Sequence, residues 1–444
     1  MKKLFTLLGF LLFSAGMFAQ YPGGDGLNVT TLWEQSDETF TNPDYNTGGN
    51  CRGMALGMQG GTPYLYVVSR ADGQLGTHIL NPATGEDIGM LINPSADLMA
   101  QGQFSINTVE VSEDGVIFVS SMTGTNGKFL NVYMYKNHTA EPKLMYSITR
   151  PAGLRLGDRF SVTGRYSDGS AKLYFSDHSA AHTVTVPTPW SCTVYALKLV
   201  ADPGATGEYV CELENGVPKT IDANPDPECK NANMSIYRPV GAGNAYYWMS
   251  STGGLYYNNG SSGSRIYPDQ FTNRTTRPFY VGEKNGKHYM CCFDFESQRA
   301  YLVSYTLPET SGGATIEAIT PGFRTPTGNY GSAQGCAEVA WRGAHPIIYL
   351  LAPDYGIGAY EVSTIDTGVK TIVEDQYSVK QNGSVLQVTG KEAIQSIELI
   401  SLTGQQVAVS RNASEISAAV SKGVYLISIK SISGQRSVQK VLID

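Results

Sequence analysis

The stretch FSINTVEVSEDGVIFVSSMTGTNGKFLNVYMYKNHTAEPKLMYSI, residues 104–148, decides the fold. It holds successive short apolar segments: Phe104–Val111, Val116–Ser121, Leu130–Lys136 and Lys143–Ile148. Their side chains alternate at a period near two, which is the period of a strand with one face inward. Ser112-Glu113-Asp114-Gly115 joins the first two, and Asp-Gly is a strong hairpin signal because both residues tolerate positive φ. The stretch therefore predicts a four-stranded antiparallel unit.

The same plan recurs along residues 27–365. One repeat runs Phe160–Gly164, turn Asp168-Gly169, Lys172–Asp177, Thr193–Leu199 and Tyr209–Leu213. Another runs Phe279–Gly282, turn Asn285-Gly286, Lys287–Phe293, Ala300–Thr306 and Thr315–Ile319. Residues 51–91 and 233–270 fit the plan more loosely. Four strands repeated every ~45 residues predict a β-propeller. The last unit offers only Ala337–Trp341, Ile347–Leu351 and Gly358–Val362, and the orphan segment Leu27–Trp33 is expected to supply its outer strand. That would close the ring and remove an exposed edge. Six blades are expected, with seven left open by the insertions at 178–191 and 214–232. No convincing amphipathic helix is seen, and abundant Gly (49) and Tyr (27) with only 16% charged residues suit strands and tight turns.

The two ends of the chain read as addresses. Met1-Lys2-Lys3 followed by the apolar run Leu4–Phe18 reads as a secretory signal peptide over residues 1–19, with Ala19 before Gln20 at the expected cut. No later stretch approaches ~18 uninterrupted apolar residues, so a soluble mature protein is expected. From Lys370 onward there is no Cys, Met, Trp, Phe, His or Pro, which marks a second domain. Residues 366–375 read as a linker, and short strands at Val385–Thr389, Ile394–Ser401, Gln406–Val409, Gly423–Lys430 and Ser437–Ile443 predict an immunoglobulin-like sandwich over 376–444. Tyr425, Leu426 and Ile429 are expected to pack its core.

Gly423-Val424-Tyr425-Leu426-Ile427-Ser428-Ile429, then Gly434, then Val438-Gln439-Lys440-Val441-Leu442-Ile443 closely resemble the C-terminal sorting domain of type IX secretion cargo. Gly423, Tyr425, Gly434, Lys440 and Val441 carry the motif; Lys422 stands where that family often has Pro. The resemblance implies recognition by an outer-membrane translocon, removal by a sortase-like protease near the linker, and attachment of the mature protein to surface lipopolysaccharide. The location it implies is the cell surface or medium of a Gram-negative bacterium. A second resemblance is carried by Arg52-Gly53-Met54-Ala55, Tyr64–Arg70, Leu80–Gly85 and Leu156–Val162, which look like an uncharacterised bacterial propeller family. It implies the fold and no activity.

The whole chain carries −7; the leader and residues 370–444 each contribute +2, which leaves −11 on the body. So acidic a body argues against nucleic acid as a partner, since phosphates call for clustered Lys and Arg. The seven cysteines include no C-x-x-C pair; Cys211 and Cys229 flank a loop and could bond, while most are expected to be buried thiols. There is no G-x-S-x-G, H-E-x-x-H or P-loop. Asp177-His178-Ser179-Ala180-Ala181-His182 is a weak metal candidate through His178 and His182, on a loop. Asp222, Asn224 and Asp226 match the D-x-N-x-D opening of a calcium loop, but Pro227 and Asn233 replace the Gly and bidentate Glu that an EF-hand needs. No cofactor is expected, and calcium is a minor alternative.

Propeller geometry offers a different site. Loops entering the inner strands and leaving the second strands share one rim. Arg52, Arg159 and Arg277 precede inner strands, while Arg70, His178, Asp294 and Asp354 end second strands, and Trp190 and Tyr330 lie on loops that overhang. Charges with aromatic platforms suit an anionic or sugar-like ligand; alternatively these groups satisfy one another and the loop backbones. The leading expectation is a non-enzymatic exported protein that binds a glycan, peptide or protein partner. A polysaccharide lyase or hydrolase using a carboxylate pair such as Asp72, Asp294 or Asp354 is the runner-up, and a structural subunit of a surface or adhesive assembly is the third.

Overall fold

A computed structural model describes residues 26–36, 42–149, 154–179, 191–216, 219–222, 236–239, 245–250, 254–259, 263–265, 275–284, 287–294, 298–305, 315–323, 335–341, 345–363, 377–382, 384–390, 392–401, 406–417, 419–432 and 436–443. They are all-β apart from short helical turns and one short α-helix, Ala96–Gln101, capped by the Ser95 hydroxyl on the Leu98 N–H. Among them no helix is long and apolar enough to cross a membrane. Contacts divide the chain into two units, 1–364 and 365–444.

The first unit is a β-propeller. Blade 1 comprises Cys51–Gln59, Thr62–Ser69, Gly76–Leu80 and Asp87–Met90; blade 2, Phe104–Val111, Ile117–Met122, Phe129–Tyr135 and Lys143–Thr149. Blade 3 comprises Phe160–Thr163, Lys172–Ser176, Ser191–Ala201 and Tyr209–Leu213; blade 4, Ile236–Pro239, Tyr246–Ser250, Gly254–Asn258 and Gly263–Arg265. Blade 5 comprises Thr275–Lys284, Lys287–Asp294, Arg299–Tyr305 and Thr315–Ile319; blade 6, Cys336–Ala340, Ile347–Ala352 and Gly356–Val362. The outer strand of blade 6 is Val29–Ser36, antiparallel to Gly356–Val362 in the register Val29↔Val362 to Ser36↔Gly356. The first strand of each blade packs on the first strand of the next, and that of blade 6 packs on that of blade 1. The described blades thus form a closed ring of six, and the seven-bladed alternative falls.

Burial follows from the stacking of blades. The second strands of blades 2 and 6 are buried along their whole length, because a neighbouring blade covers each face. The outer strand of blade 1 is exposed throughout. Blades 2 and 3 share one core of Phe118, Val132, Phe160, Leu173, Phe175 and Leu197, all at most 1% exposed. Gly57 lets blade 1 approach blade 2 closely: a Cβ there would sit 2.6 Å from Val111. The hairpin turns also link blades. Gln59 donates to the Gly115 carbonyl, and Asp114 accepts from the backbone N–H groups of Tyr166 (3.0 Å) and Ser167 (2.8 Å).

The insertions carry structure that the sequence reading leaves as loop. Lys219–Asp222 pairs with the first half of Ser191–Ala201, and Leu154–Arg155 pairs with His178–Ser179. Asp222 is the last residue of a strand, opposite Ser191, while Asn224 and Asp226 lie outside the described residues. Cys51, Cys211, Cys291, Cys292 and Cys336 are buried free thiols, so Cys211 is not bridged to Cys229.

The second unit is a β-sandwich. Tyr377–Asn382, Val385–Gly390 and Glu415–Ser417 form one sheet; Gln406–Arg411, Ile394–Ser401, Gly423–Ser431 and Arg436–Ile443 form the other. Leu386, Val388 and Ile416 from the first meet Ile397, Leu399, Tyr425, Ile427 and Ile429 from the second in one core. Leu426 is not part of it. Alternation along the strand turns Tyr425, Ile427 and Ile429 inward together and Leu426 to the other face.

Candidate functional site: an arginine cluster where the inner strands begin

Arg52 is the second residue of the inner strand of blade 1. The register there jumps from Cys51↔Ser69 to Gly53↔Val68, so Arg52 is an extra residue in a β-bulge. Bulges re-aim side chains and recur beside binding sites. Arg70 follows the second strand of the same blade, anchored by its N–H on the Asn50 carbonyl at 3.1 Å. Its guanidinium lies 3.8 Å over the centre of the Phe104 ring and reaches Asn107 Oδ1 at 3.4 Å. Asn107, on the inner strand of blade 2, donates to the carbonyls of Gly157 (2.7 Å) and Asp158 (3.2 Å). Gly157 has φ +87°, and a Cβ would fall 2.4 Å from the Ser121 carbonyl oxygen, so only glycine fits this turn.

Arg159 begins blade 3. It donates to the Arg52 carbonyl in blade 1, to the Gly335 carbonyl (3.1 Å) before blade 6, and to Cys336 Sγ (3.2 Å). One side chain thus spans three blades, which places its head across the axial end of the ring. It is 2% exposed, so its head is buried among these blades. Arg155, three residues earlier, is ion-paired with the buried Asp158.

Four guanidinium groups therefore gather around a single carboxylate among the described residues. Burial, then the neighbouring Arg52 cation, pushes the Arg70 pKa down to about 9, against the pull of Asp158. Burial, opposed by Asp158 and reinforced by Arg159 and Arg155, pushes that of Arg52 down to about 10. Both remain cations at neutral pH, held in a place that disfavours them. Net positive charge at a partly desolvated mouth is an arrangement for an anion.

The other rim candidates divide. Asp354 takes the Gly48 N–H at 2.6 Å on its carboxylate, and its own N–H goes to Asn46 Oδ1 at 3.1 Å. It braces the loop between blades 6 and 1, an instance of a rim group satisfying loop backbone. Asp72 is exposed. The backbone of His178 pairs with Arg155, bringing this insertion beside the cluster. The backbones of Arg277 and Asp294 lie at the matching end of blade 5, with Arg277 opposite Phe293 and Asp294 opposite Thr275. The side chains of His178, Arg277, Asp294 and Lys440 lie outside the described part, as do Trp190, Tyr330, His182, Asn224, Asp226 and Gly434. Among the described residues no group of three His, Cys, Asp or Glu side chains is placed to hold a metal.

Fold and site together define a six-bladed propeller with a cationic hub. No family model and no curated protein sequence matches the chain. A crystal structure of a DUF4623 family protein from Bacteroides eggerthii is similar over 75% of this chain and 74% of its own, at 15% identity and a TM-score of 0.52. PorZ, a surface component of the type IX secretion system of Porphyromonas gingivalis, aligns with 88% of this chain and 51% of its own at 11% identity and a TM-score of 0.36. An α-L-arabinofuranosidase from Fusarium graminearum aligns over 76% and 98% at 10% identity and a TM-score of 0.44. The first likeness supports the fold alone; the other two, at their lower scores, carry no argument.

Proposed function

We propose that this chain is an exported protein of the cell surface or medium whose propeller binds a glycan or protein partner at the arginine hub, without turning it over. The observation that carries the reading is the excess of cations there: Arg52 and Arg70 are half-buried, and the single carboxylate beside them already serves Arg155. A fold alone would not support a function, because propellers host many. The cluster also lacks, among its described residues, the two carboxylates that glycoside cleavage calls for.

The C-terminal sandwich is the export signal in this reading. Its support is the terminal motif around Gly423, Tyr425, Lys440 and Val441, together with the leader at residues 1–19. The type IX translocon and a sortase-like protease are its partners, and surface lipopolysaccharide is the anchor. Deleting residues 370–444 should trap the protein in the periplasm; normal amounts in the medium would overturn the sorting reading. A glycan array probed with the full mature chain tests the binding reading, which falls if no glycan and no surface protein is retained.

A further inference from the structure

We propose that the group recognised at the hub is an oxyanion carried by an acidic glycan, a uronate carboxylate or a sulfate ester, seated between Arg52 and Arg70. This rests on the reading of the hub as the ligand-binding face and adds the chemistry of what it takes.

The four arginines are not equivalent. Arg159 is committed to the carbonyls of Arg52 and Gly335, and Arg155 is committed to Asp158. Among the described residues the Arg52 guanidinium has no hydrogen-bond acceptor, and Arg70 has one long bond to an amide oxygen and the face of a ring. The Nε–H groups of both are buried and unpaired. Two planar donor forks therefore stand near each other with only Asp158, already paired with Arg155, to offset their charge. An oxyanion accepts from such forks in two-pronged fashion, and a neutral hydroxyl supplies a hydrogen bond but no charge.

The surroundings narrow the ligand further. The body outside the hub is strongly acidic, since the whole chain carries −7 despite basic termini. A densely charged polyanion would be repelled by that surface, whereas a sparsely charged polymer can place one oxyanion at the local positive spot. The neighbouring Asn107 amide and Asp158 carboxylate are buried and already paired, so the arginine forks are the donors left for a ligand.

The test is calorimetric titration of the full mature chain with a galactan oligomer bearing a single uronate, one bearing a single sulfate ester, a neutral galactan oligomer and an oligoglutamate peptide. One or both acidic sugars should bind at least about tenfold more tightly than the neutral one, and the affinity should fall as salt rises. Arg52→Gln and Arg70→Gln should each remove that preference; Arg52→Lys, which keeps the charge but loses the fork, should retain part of it. Arg52→Gln should melt no lower than wild type, because it relieves a repelled cation. Equal binding of neutral and acidic sugars, unchanged in Arg52→Gln, overturns the oxyanion and leaves the glycan reading standing. Tighter binding of oligoglutamate than of either acidic sugar overturns the glycan as its carrier. Binding of none of the probes overturns the oxyanion proposal, and the array then decides whether the hub binds anything. The comparison of probes on wild type needs no variant to fold.

Discussion

Arg159 and Arg52 carry the same charge at the same end of the ring and serve different ends. The first is spent on carbonyl groups of neighbouring blades; the second is held in place by Arg159 through its own carbonyl and keeps its donors unused. Both could be located from sequence, because each flanks a strand whose start is legible. Asn107, Arg155 and Asp158 could not be. Asn107 reads as one polar step in an alternating strand, and the Arg155–Asp158 pair depends on the tight turn at Gly157. Asp114 was legible only as a turn residue, yet it fastens blade 2 to blade 3. Burial raises its pKa, but hydrogen bonds from Ser112, Ser167 and Tyr166 outweigh this and hold the carboxyl well below the usual range. A carboxyl depressed by folding stabilises fully above its unfolded value and loses that contribution as pH falls toward the folded one. Asp114→Asn should therefore cost about 1 kcal/mol at pH 7 and progressively less below about pH 4, as read from urea midpoints across pH.

At the scale of the element, most strands lie within one or two residues of their expected positions, but the strand expected at Phe279–Gly282 begins four residues earlier and spans Thr275–Lys284. Tyr209–Leu213, Thr315–Ile319 and Ile394–Ser401 agree at both ends. What escaped was short or weakly patterned. The helix Ala96–Gln101 spans too few residues to show a 3.6 period, and Tyr377–Asn382 buries only its first residue fully. The closing strand, expected at Leu27–Trp33, pairs as Val29–Ser36. Trp33 extends its hold by donating from Nε1 to the Pro82 carbonyl of blade 1 at 2.9 Å. Removing residues 26–36 should uncover the edge of Gly356–Val362 and strip a face from the core around Tyr349, Leu351 and Ile357. The expected outcome is a broad, less cooperative melt and soluble aggregates on size exclusion; a sharp wild-type transition would show that the ring is stable open.

For the whole molecule, the division at residue 364 separates two units, each with buried clusters of its own. Each should melt by itself. Calorimetry of the full chain should resolve two transitions, the smaller with an enthalpy of about 50 kcal/mol for a unit of this size. The chain ending at residue 364 should lack that transition and keep the larger one at the same temperature. The architecture of both units was open to sequence reading because repeats and composition breaks are properties of long stretches. The hub's balance of charge was not, since it depends on which of many arginines meet and which find partners.

The strand that shuts the ring precedes every other described strand of the propeller in sequence, and its partner is the last of them. Until Gly356–Val362 emerges, every shorter chain is an open arc with two unpaired edges. Contacts so distant in sequence form slowly. Completion of the propeller thus waits for its last strand, and a chain interrupted before that strand lacks the one pairing that would let the ring pass as finished.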